Sequence, residues 1–358
     1  FWFGEITGRL GLDDRFLAHP KLFFYSPTYS INILTDLNNI GQLPFTSRDY
    51  RNFTGGFRSR TGQTGTSFSV GDGGLGLSQL QNNRAKEINS RFGALNFSYS
   101  PSKSLDLSGF AIYSYSNTEL ETIATRTYIS SNQQEVTTTN TDQTSNLGLF
   151  KFSAAYKPTT DLQVEYDVLA KFSNEKENVG ILSEADVTDQ IIENKKQKPT
   201  SVNQNANVYY TIDEKNILAF EGQYLFQNED PFYNAIREVQ PFASVLPLDE
   251  DQSNFDINQD RKIKTNKLDF KTDYYYITGA KCNLNLTKAK NTQLGTEVTD
   301  HLFNVVPDLF VNLKLKQSEN IRLNYAVTRQ FSDVEKFANG YIFSNYNSLY
   351  QGNRNLES

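Results

Sequence analysis

The sequence predicts an all-β protein: an antiparallel transmembrane β-barrel, incomplete in this chain, with short periplasmic turns and long extracellular loops. Three observations predict it. Segments of about ten residues alternate apolar and polar side chains, the length and period of a tilted strand that crosses a bilayer. A tyrosine–proline turn recurs between such segments. Phenylalanine and tyrosine are abundant, 26 and 20 among 358 residues, as aromatic girdles at two membrane interfaces require.

The alternation runs as follows. Leu162, Val164, Tyr166, Val168, Ala170 and Phe172 share one face, and Gln163, Glu165, Asp167 and Lys171 the other. Leu218, Phe220, Tyr224 and Phe226 oppose Glu221, Gln223 and Gln227. Leu268, Phe270, Tyr274 and Tyr276 oppose Lys267, Asp269, Lys271 and Asp273. Leu309, Val311, Leu313 and Leu315 oppose Asn312, Lys314 and Lys316, and Ile321, Leu323, Tyr325 and Val327 oppose Arg322, Asn324 and Thr328. In a barrel the polar set Glu165, Asp167, Lys171, Asp269, Lys271, Asp273 and Lys314 lines the lumen. Charges of both signs there suit contacts with an internal plug domain as well as water.

Alternation by itself suits a sandwich equally, since each architecture buries one face of every strand. The turns discriminate. Tyr25-Ser26-Pro27 leads to Ile31 and Ile33, Tyr99-Ser100-Pro101 to Leu105 and Leu107, and Tyr156-Lys157-Pro158 to Leu162 and Val164. A degenerate copy runs from Leu315 through Gln317 to Ile321, and two longer relatives surround 211–216 and 277–281. Proline fixes φ at a position that donates nothing to the ladder. Tyr25, Tyr99, Tyr156 and Tyr210 each close a strand before a short turn. A ring of tyrosines at one height is what a membrane–water interface favours, ring in lipid and hydroxyl in water.

The connections at the other end are long and polar, over 39–90, 117–144, 173–200, 227–265 and 289–300. One strand over 3–12 followed by six hairpins makes about thirteen strands. A bacterial single-chain barrel closes with an even number, so further strands are expected beyond this segment, about 22 in the intact barrel. The whole of 1–358 reads as one partial barrel domain, with C-terminal strands expected outside it. The opening Phe1-Trp2-Phe3 lacks a start residue and a leader, consistent with an internal piece.

Composition narrows the function. Mean hydropathy is −0.55, and no apolar run approaches the roughly 18 residues of a membrane helix. Cys282 stands alone, so there is no disulfide framework. The net charge of −6 argues against a nucleic-acid partner. With only His19 and His301, a histidine-rich metal centre is excluded by counting, and neither sits in a nucleophile motif; the chain is expected not to be an enzyme. Gly71-x-Gly73-x-x-Gly76 copies a dinucleotide fingerprint by letter, ahead of a stretch over 78–89 that helix formation would suit. It lacks the βαβ context and reads as a glycine-rich loop. Asp249, Asp251 and Asp260 are weak calcium candidates: Asn254 occupies the obligatory glycine position, and Asp256, Asn258 and Asp260 offer an overlapping set. No other cofactor is implied. Tyr50, Arg58 and Arg60 form a basic-aromatic patch in the first long loop, the candidate ligand contacts.

Beyond these elements, Ile33-Leu34-Thr35-Asp36-Leu37-Asn38-Asn39-Ile40-Gly41 followed by Pro44-Phe45-Thr46 and Asp49-Tyr50, the opening Phe1-Trp2-Phe3-Gly4-Glu5 with Asp13-Asp14-Arg15-Phe16, and the closing Gly352-Asn353-Arg354-Asn355-Leu356 resemble the outer-membrane receptor-like barrels of Bacteroidetes-type bacteria, relatives of TonB-dependent receptors. The closing segment is similar to a Gly-Asn-Pro-Asn-Leu signature before the last strands, with Arg354 in place of proline. The resemblance implies a plug, coupling to TonB, residence in the Gram-negative outer membrane among its lipids, and, in nutrient-uptake members, a surface lipoprotein partner. The function it implies is a ligand-gated, TonB-coupled import receptor for a large or scarce nutrient such as a metal chelate, oligosaccharide or peptide. The alternative is a non-transporting structural or assembly barrel of an outer-membrane complex.

Overall fold

The computed structural model of the chain describes residues 1–41, 86–129, 132–243, 245–246, 248, 253–276, 280–294, 298–316, 319–327 and 340–352. They form strands and no helix: β1 (Trp2–Leu10), β2 (Phe16–Tyr25), β3 (Tyr29–Asn38), β4 (Glu87–Ser102), β5 (Leu105–Tyr128), β6 (Gln133–Tyr156), β7 (Leu162–Glu184), β8 (Thr188–Gln197), β9 (Thr200–Thr211), β10 (Asn216–Glu229), β11 (Phe232–Arg237), β12 (Phe255–Asp260), β13 (Lys262–Tyr276), β14 (Ala280–Leu294), β15 (Val298–Lys316), β16 (Glu319–Ala326), β17 (Tyr341–Asn345) and β18 (Ser348–Gln351). The main path of the sheet is β1-β2-β3-β4-β5-β6-β7-β9-β10-β13-β14-β15-β16, thirteen strands in chain order. Every pairing is antiparallel, and β1 and β16 stand at the two ends of the path.

The thirteen strands on the main path agree with the sequence reading, and the chemistry of the described turns explains their places. Asp213 closes the turn between β9 and β10 by accepting from the amides of Lys215 at 2.8 Å and Asn216 at 2.9 Å. These bonds, with that from the Asn216 side chain, hold its carboxyl below the usual carboxylate range. Thr159 does the same for the amide of Leu162 at 3.2 Å, starting β7. Within the β4–β5 pair, a Cβ on Gly109 would stand 2.5 Å from the carbonyl oxygen of Lys151 and 2.8 Å from the ring of its cross-strand partner Phe97. Phe97 therefore lies over the glycine, an aromatic covering backbone that no side chain shields.

The long polar connections differ from expectation. Residues 117–144, 173–200 and 289–300 are largely strand, and 227–265 contains β11 and β12: β5 and β6 are 24 residues each, β7 is 23, and β14 reaches Leu294 before β15 begins at Val298. About 10 residues suffice to cross a bilayer, so the surplus extends the wall at the end opposite the short turns. Polar residues on both faces hid these segments from a hydrophobic-period reading, although their threonines and valines favour extended backbone. The stretch over 78–89 likewise ends in strand, since β4 begins at Glu87; the glycine fingerprint before it lies outside the described residues.

In the extension, β8, β11 and β12 continue the lanes of β9, β10 and β13 without slipping register. Phe172 faces Thr200 of β9, and Glu175 faces Gln197 of β8. Glu229 faces Ile263, and Phe232 faces Asp260. The three interruptions, at Lys198-Pro199, Asp230-Pro231 and Arg261, fall side by side. Proline cannot donate to a ladder, so two neighbouring strands break at one height. The carbonyls of Pro199 and Pro231 still accept from Ser173 and Arg261, both at 3.0 Å, which preserves the alignment across the break.

Candidate functional site

The two faces of the sheet are inverted relative to a water-soluble protein. Along β13, Leu268, Phe270 and Tyr274 are 52%, 44% and 41% exposed, while Asp269, Lys271 and Asp273 between them are 8%, 7% and 1% exposed. The same pattern repeats along β10, where exposed Phe220 and Tyr224 flank buried Glu221 and Gln223. Burying charge while exposing large apolar side chains is costly in water. It is the arrangement expected of a wall with lipid outside and an aqueous or protein-filled lumen inside.

The outer face ends in tyrosines at the short-turn level. Tyr99, Tyr156 and Tyr210 are exposed there, as read from the sequence. Tyr25 departs. Pairing of Tyr25 with Ser30 and of Tyr29 with Tyr99 puts Tyr29, and not Tyr25, beside Tyr99 on the outer face. Tyr25 turns inward and stacks on Phe3, ring centroids 5.8 Å apart. The tight turn at Pro27 shifts parity by one, which position before a proline does not reveal.

Inside, the wall is divided. Across β4 to β7 the inner face carries an apolar cluster of Phe92, Ala94, Phe110, Ile112, Leu147, Leu149 and Leu169, with Leu34 of β3 packed on it. Across β7 to β13 the inner face is charged. Lys171 is buried, Asp167 accepts from Ser153, and Glu165 accepts from Gln163 at 2.5 Å. Lys271 lies 3.0 Å from Asp273 and 3.6 Å from Glu221 across the β10–β13 ladder; Lys267 lies 3.1 Å from Asp269. The residues read as lumen-lining on β7 and β13 stand on this inner face, in two groups. Glu221, passed over as a site residue, joins the second group because the register sets it opposite Lys271. The side chain of Lys314 lies outside the described ones, as do Tyr50, Arg58, Arg60, Asp249 and Asp251.

Asp260 closes β12 with Asp256 and Asn258 on the same face. The amide of Asn234 donates to Asp256 at 2.7 Å and to Asn258 at 2.9 Å. An extended strand spreads these oxygens in a row and does not wrap them around an ion. Among the described residues no group of three or more His, Cys, Asp or Glu side chains is placed to hold a metal. His19 meets buried Asp36 at 2.6 Å, and Asn38 donates to Asp36 and, at 2.9 Å, to Ser90. The hydroxyl of Ser90 is thus engaged by an amide and not by the imidazole, the wrong arrangement for a nucleophile and its base.

Above the proline break the inner face forms a mouth that the sequence reading missed. The β17–β18 hairpin lies against it. Tyr346 packs on the cluster of Val179, Ile181 and Ile191. Arg237 holds the assembly together: it donates to Asp189 through Nε at 2.9 Å and Nη2 at 2.5 Å, and through Nη1 to the carbonyl of Tyr346 at 3.1 Å. Asp189 also accepts the backbone amides of Glu238 and Val239, both at 3.1 Å. Phe343 stacks on Tyr233, centroids 5.8 Å apart, and the amide of Gln259 donates to the carbonyl of Tyr341 at 2.8 Å. Burial, then a 2.6 Å hydrogen bond to Glu193, pushes the phenol of Tyr233 far above its usual range. Hairpin and wall border a half-open pocket of about 260 Å³, lined among others by Gln143, Glu175, Glu177, Lys195, Tyr233 and Phe343.

Comparison with known proteins adds the following. No protein-family model matches the sequence, and no curated protein matches it. Among solved structures the chain is similar to the ferric citrate transporter FecA in its unliganded form, at 7% identity and a TM-score of 0.43, over 90% of this chain and 43% of that one. It is also similar to the FrpB iron transporter from Neisseria meningitidis (F3-3 variant), at 8% identity and a TM-score of 0.18, over 91% of this chain and 68% of that one. The chain spans less than half the length of the first. The assignment of faces above rests on this chain's own register and burial.

Proposed function

We propose that this chain is the wall of an outer-membrane barrel that serves as a ligand-gated, TonB-coupled import receptor for a large or scarce nutrient, and that it is not an enzyme. The single observation that supports this most is the inverted sheet, with Leu268, Phe270 and Tyr274 exposed and Asp269, Lys271 and Asp273 buried between them. The extended upper wall supports it further, since strands of 24 residues raise a vestibule beyond the bilayer where ligand is captured before the lumen. The charged inner face gives a plug groups to grip, and a plug keeps a wide barrel from leaking. Outer-membrane lipid contacts the apolar face, the energising contact is with TonB, and a surface lipoprotein is a candidate partner at the mouth.

The test uses the full-length protein in planar lipid bilayers. The intact receptor is expected to insert and stay closed, then to conduct when urea at molar concentration unfolds the plug. Site-directed crosslinking in cells is expected to join its N-terminal region to TonB. A protein that inserts and remains closed under urea, with no crosslink to TonB, overturns import in favour of a scaffolding barrel.

A further inference from the structure

We propose that one sector of the outer face, carrying Lys176, Lys196, Lys198, Lys262 and Lys264, holds the phosphate groups of an anionic lipid in the outer leaflet. The inference rests on the outer-membrane reading of the wall and names one partner of its outer face. Pleat parity places the lysines there. Lys176 lies four residues along β7 from exposed Phe172, and Lys264 four residues along β13 from exposed Leu268. Lys196 faces Lys176 across the β7–β8 ladder, and its ammonium lies 5.6 Å from the ring centre of Phe232. Both strands also border the inner pocket, but parity turns these two side chains outward. Lys198 stands at the proline break and Lys262 opens β13; all five lysines are exposed.

Height decides what they meet. Lys176 is fourteen residues from Leu162 at the short-turn end of β7, and Lys196 is level with it because Leu162 faces Tyr210 and the register does not slip. At about 3.4 Å per residue and a tilt of roughly 40°, that is about 36 Å of height. Lys264, twelve residues from Tyr276, reaches about 31 Å by the same measure. The apolar band is roughly 25 Å tall, so these backbone positions stand about 6–11 Å above it. A lysine stem lies back along the wall and sets its ammonium in the headgroup layer. One row higher, Asn178, Asn194, Asn234 and Asn258 face one another across four strands, and neutral polar side chains take over.

The charges select an anion. Lys176 and Lys196 stand directly opposite on neighbouring strands, which destabilises a sheet until a group of the other sign joins them. None of the five lysines forms an ion pair among the described residues. Phe232 steadies Lys196 from one side and leaves its other N–H directions open. Two carboxylates share the sector: Asp230, which accepts from the backbone amide of Lys198 at 2.8 Å, and Asp260, which faces Phe232. The adjoining sector has the opposite sign. Twelve to fourteen residues from their own short turns, β4, β5 and β6 place Glu87, Glu119 and Asp142 in one row on this face. The collar above the apolar band is therefore acidic over β4–β6 and basic over β7–β13, so a phosphorylated headgroup is repelled by one sector and held by the other. Phosphate suits paired lysines, because its several oxygens accept charge-assisted hydrogen bonds from both at once. Three strand spacings of roughly 4.8 Å give the basic sector a width of about 14 Å, room for more than one phosphate.

The test is native mass spectrometry of the full-length, detergent-purified receptor with diphosphorylated lipid A, with the same lipid after removal of its phosphates, and with inorganic phosphate as competitor. Wild type is expected to retain the phosphorylated lipid, to release it at high salt, and to ignore the dephosphorylated one. Combining Lys176→Gln, Lys196→Gln and Lys198→Gln is expected to weaken retention at least tenfold, and Lys176→Arg with Lys196→Arg to keep it. Lys103→Gln, exposed at a short turn on the far side of the band, is expected to bind as wild type does. The proposal is overturned if wild type holds both lipid forms alike or neither, if the triple glutamine variant retains the lipid, or if Lys103→Gln loses it equally. Displacement by inorganic phosphate at equal concentration overturns the lipid as the source of the anion. Outer-membrane fractionation keeps the two readings apart: an inserted receptor that retains no lipid sinks this sector alone, whereas a protein recovered in the aqueous fraction sinks the wall.

Discussion

Replacing Phe270 by arginine tests the inverted sheet directly. Ten steps along β13 separate Tyr276, at the short-turn end, from Asn266, where the outer face turns polar. At about 3.4 Å per residue and a tilt of roughly 40°, that distance is about 26 Å of height, close to the roughly 25 Å apolar band of an outer-membrane barrel. Phe270 lies six of those steps from Tyr276, near the middle, and is 44% exposed. An arginine there faces the lipid midplane and costs about 2–4 kcal/mol. In a water-bathed sheet the same change costs at most about 1 kcal/mol, from the lost cross-strand ring contact with Phe220, centroids 6.4 Å apart. The assay is reversible urea unfolding of the full-length protein in phospholipid vesicles, followed by tryptophan fluorescence and heat-dependent gel mobility. A Phe270→Arg variant whose unfolding free energy matches wild type refutes the assignment of this face to lipid, whatever else the barrel does.

Two further outcomes are expected. Lys271→Met leaves Glu221 and Asp273 with their charges buried, and should cost about 3–5 kcal/mol; adding Asp273→Asn should recover at least about 1 kcal/mol of it, and a strictly additive double-mutant cycle in the same assay contradicts the inner-wall pairing. Glu135, in the outer part of β6, accepts from Ser183 at 2.7 Å and from Tyr128 at 2.8 Å and lies near Arg126, and its carboxyl is held below the ordinary value of 4.5, first by the Ser183 bond. A carboxyl whose folded pKa is depressed contributes stability that is complete above the unfolded pKa and lost as pH falls through the folded one. Hydrogen-exchange protection of the outer β5–β6 hairpin should therefore decline below about pH 4.5, and Glu135→Gln should flatten that dependence; identical acid profiles for the two proteins would remove Glu135 as the cause.

The strand order was legible because each hairpin is local. A short turn, carrying tyrosine and proline in three of the six, and a return of period two define it within about fifteen residues, and antiparallel neighbours in chain order need no long-range information. The lumenal charges of β7 and β13 were legible for the same reason, since alternation alone assigns a face. Strands β8, β11 and β12 were not, because polar residues on both faces erase the periodic signal once neither face meets hydrocarbon. The parity of Tyr25 was decided by the turn at Pro27, and the pairing of Glu221 with Lys271 by register across 50 residues of chain. By itself, then, the sequence determined that these segments are strands, which of their side chains share a face, and that consecutive ones pair. Only the tertiary structure decided that the charged face is the buried one, that the breaks at Pro199, Pro231 and Arg261 align, and that the β17–β18 hairpin comes to rest on Arg237, Tyr233 and Gln259. The physical reason is that period and turn chemistry act between near neighbours, whereas burial and enclosure depend on which distant strands the curvature of the sheet brings together.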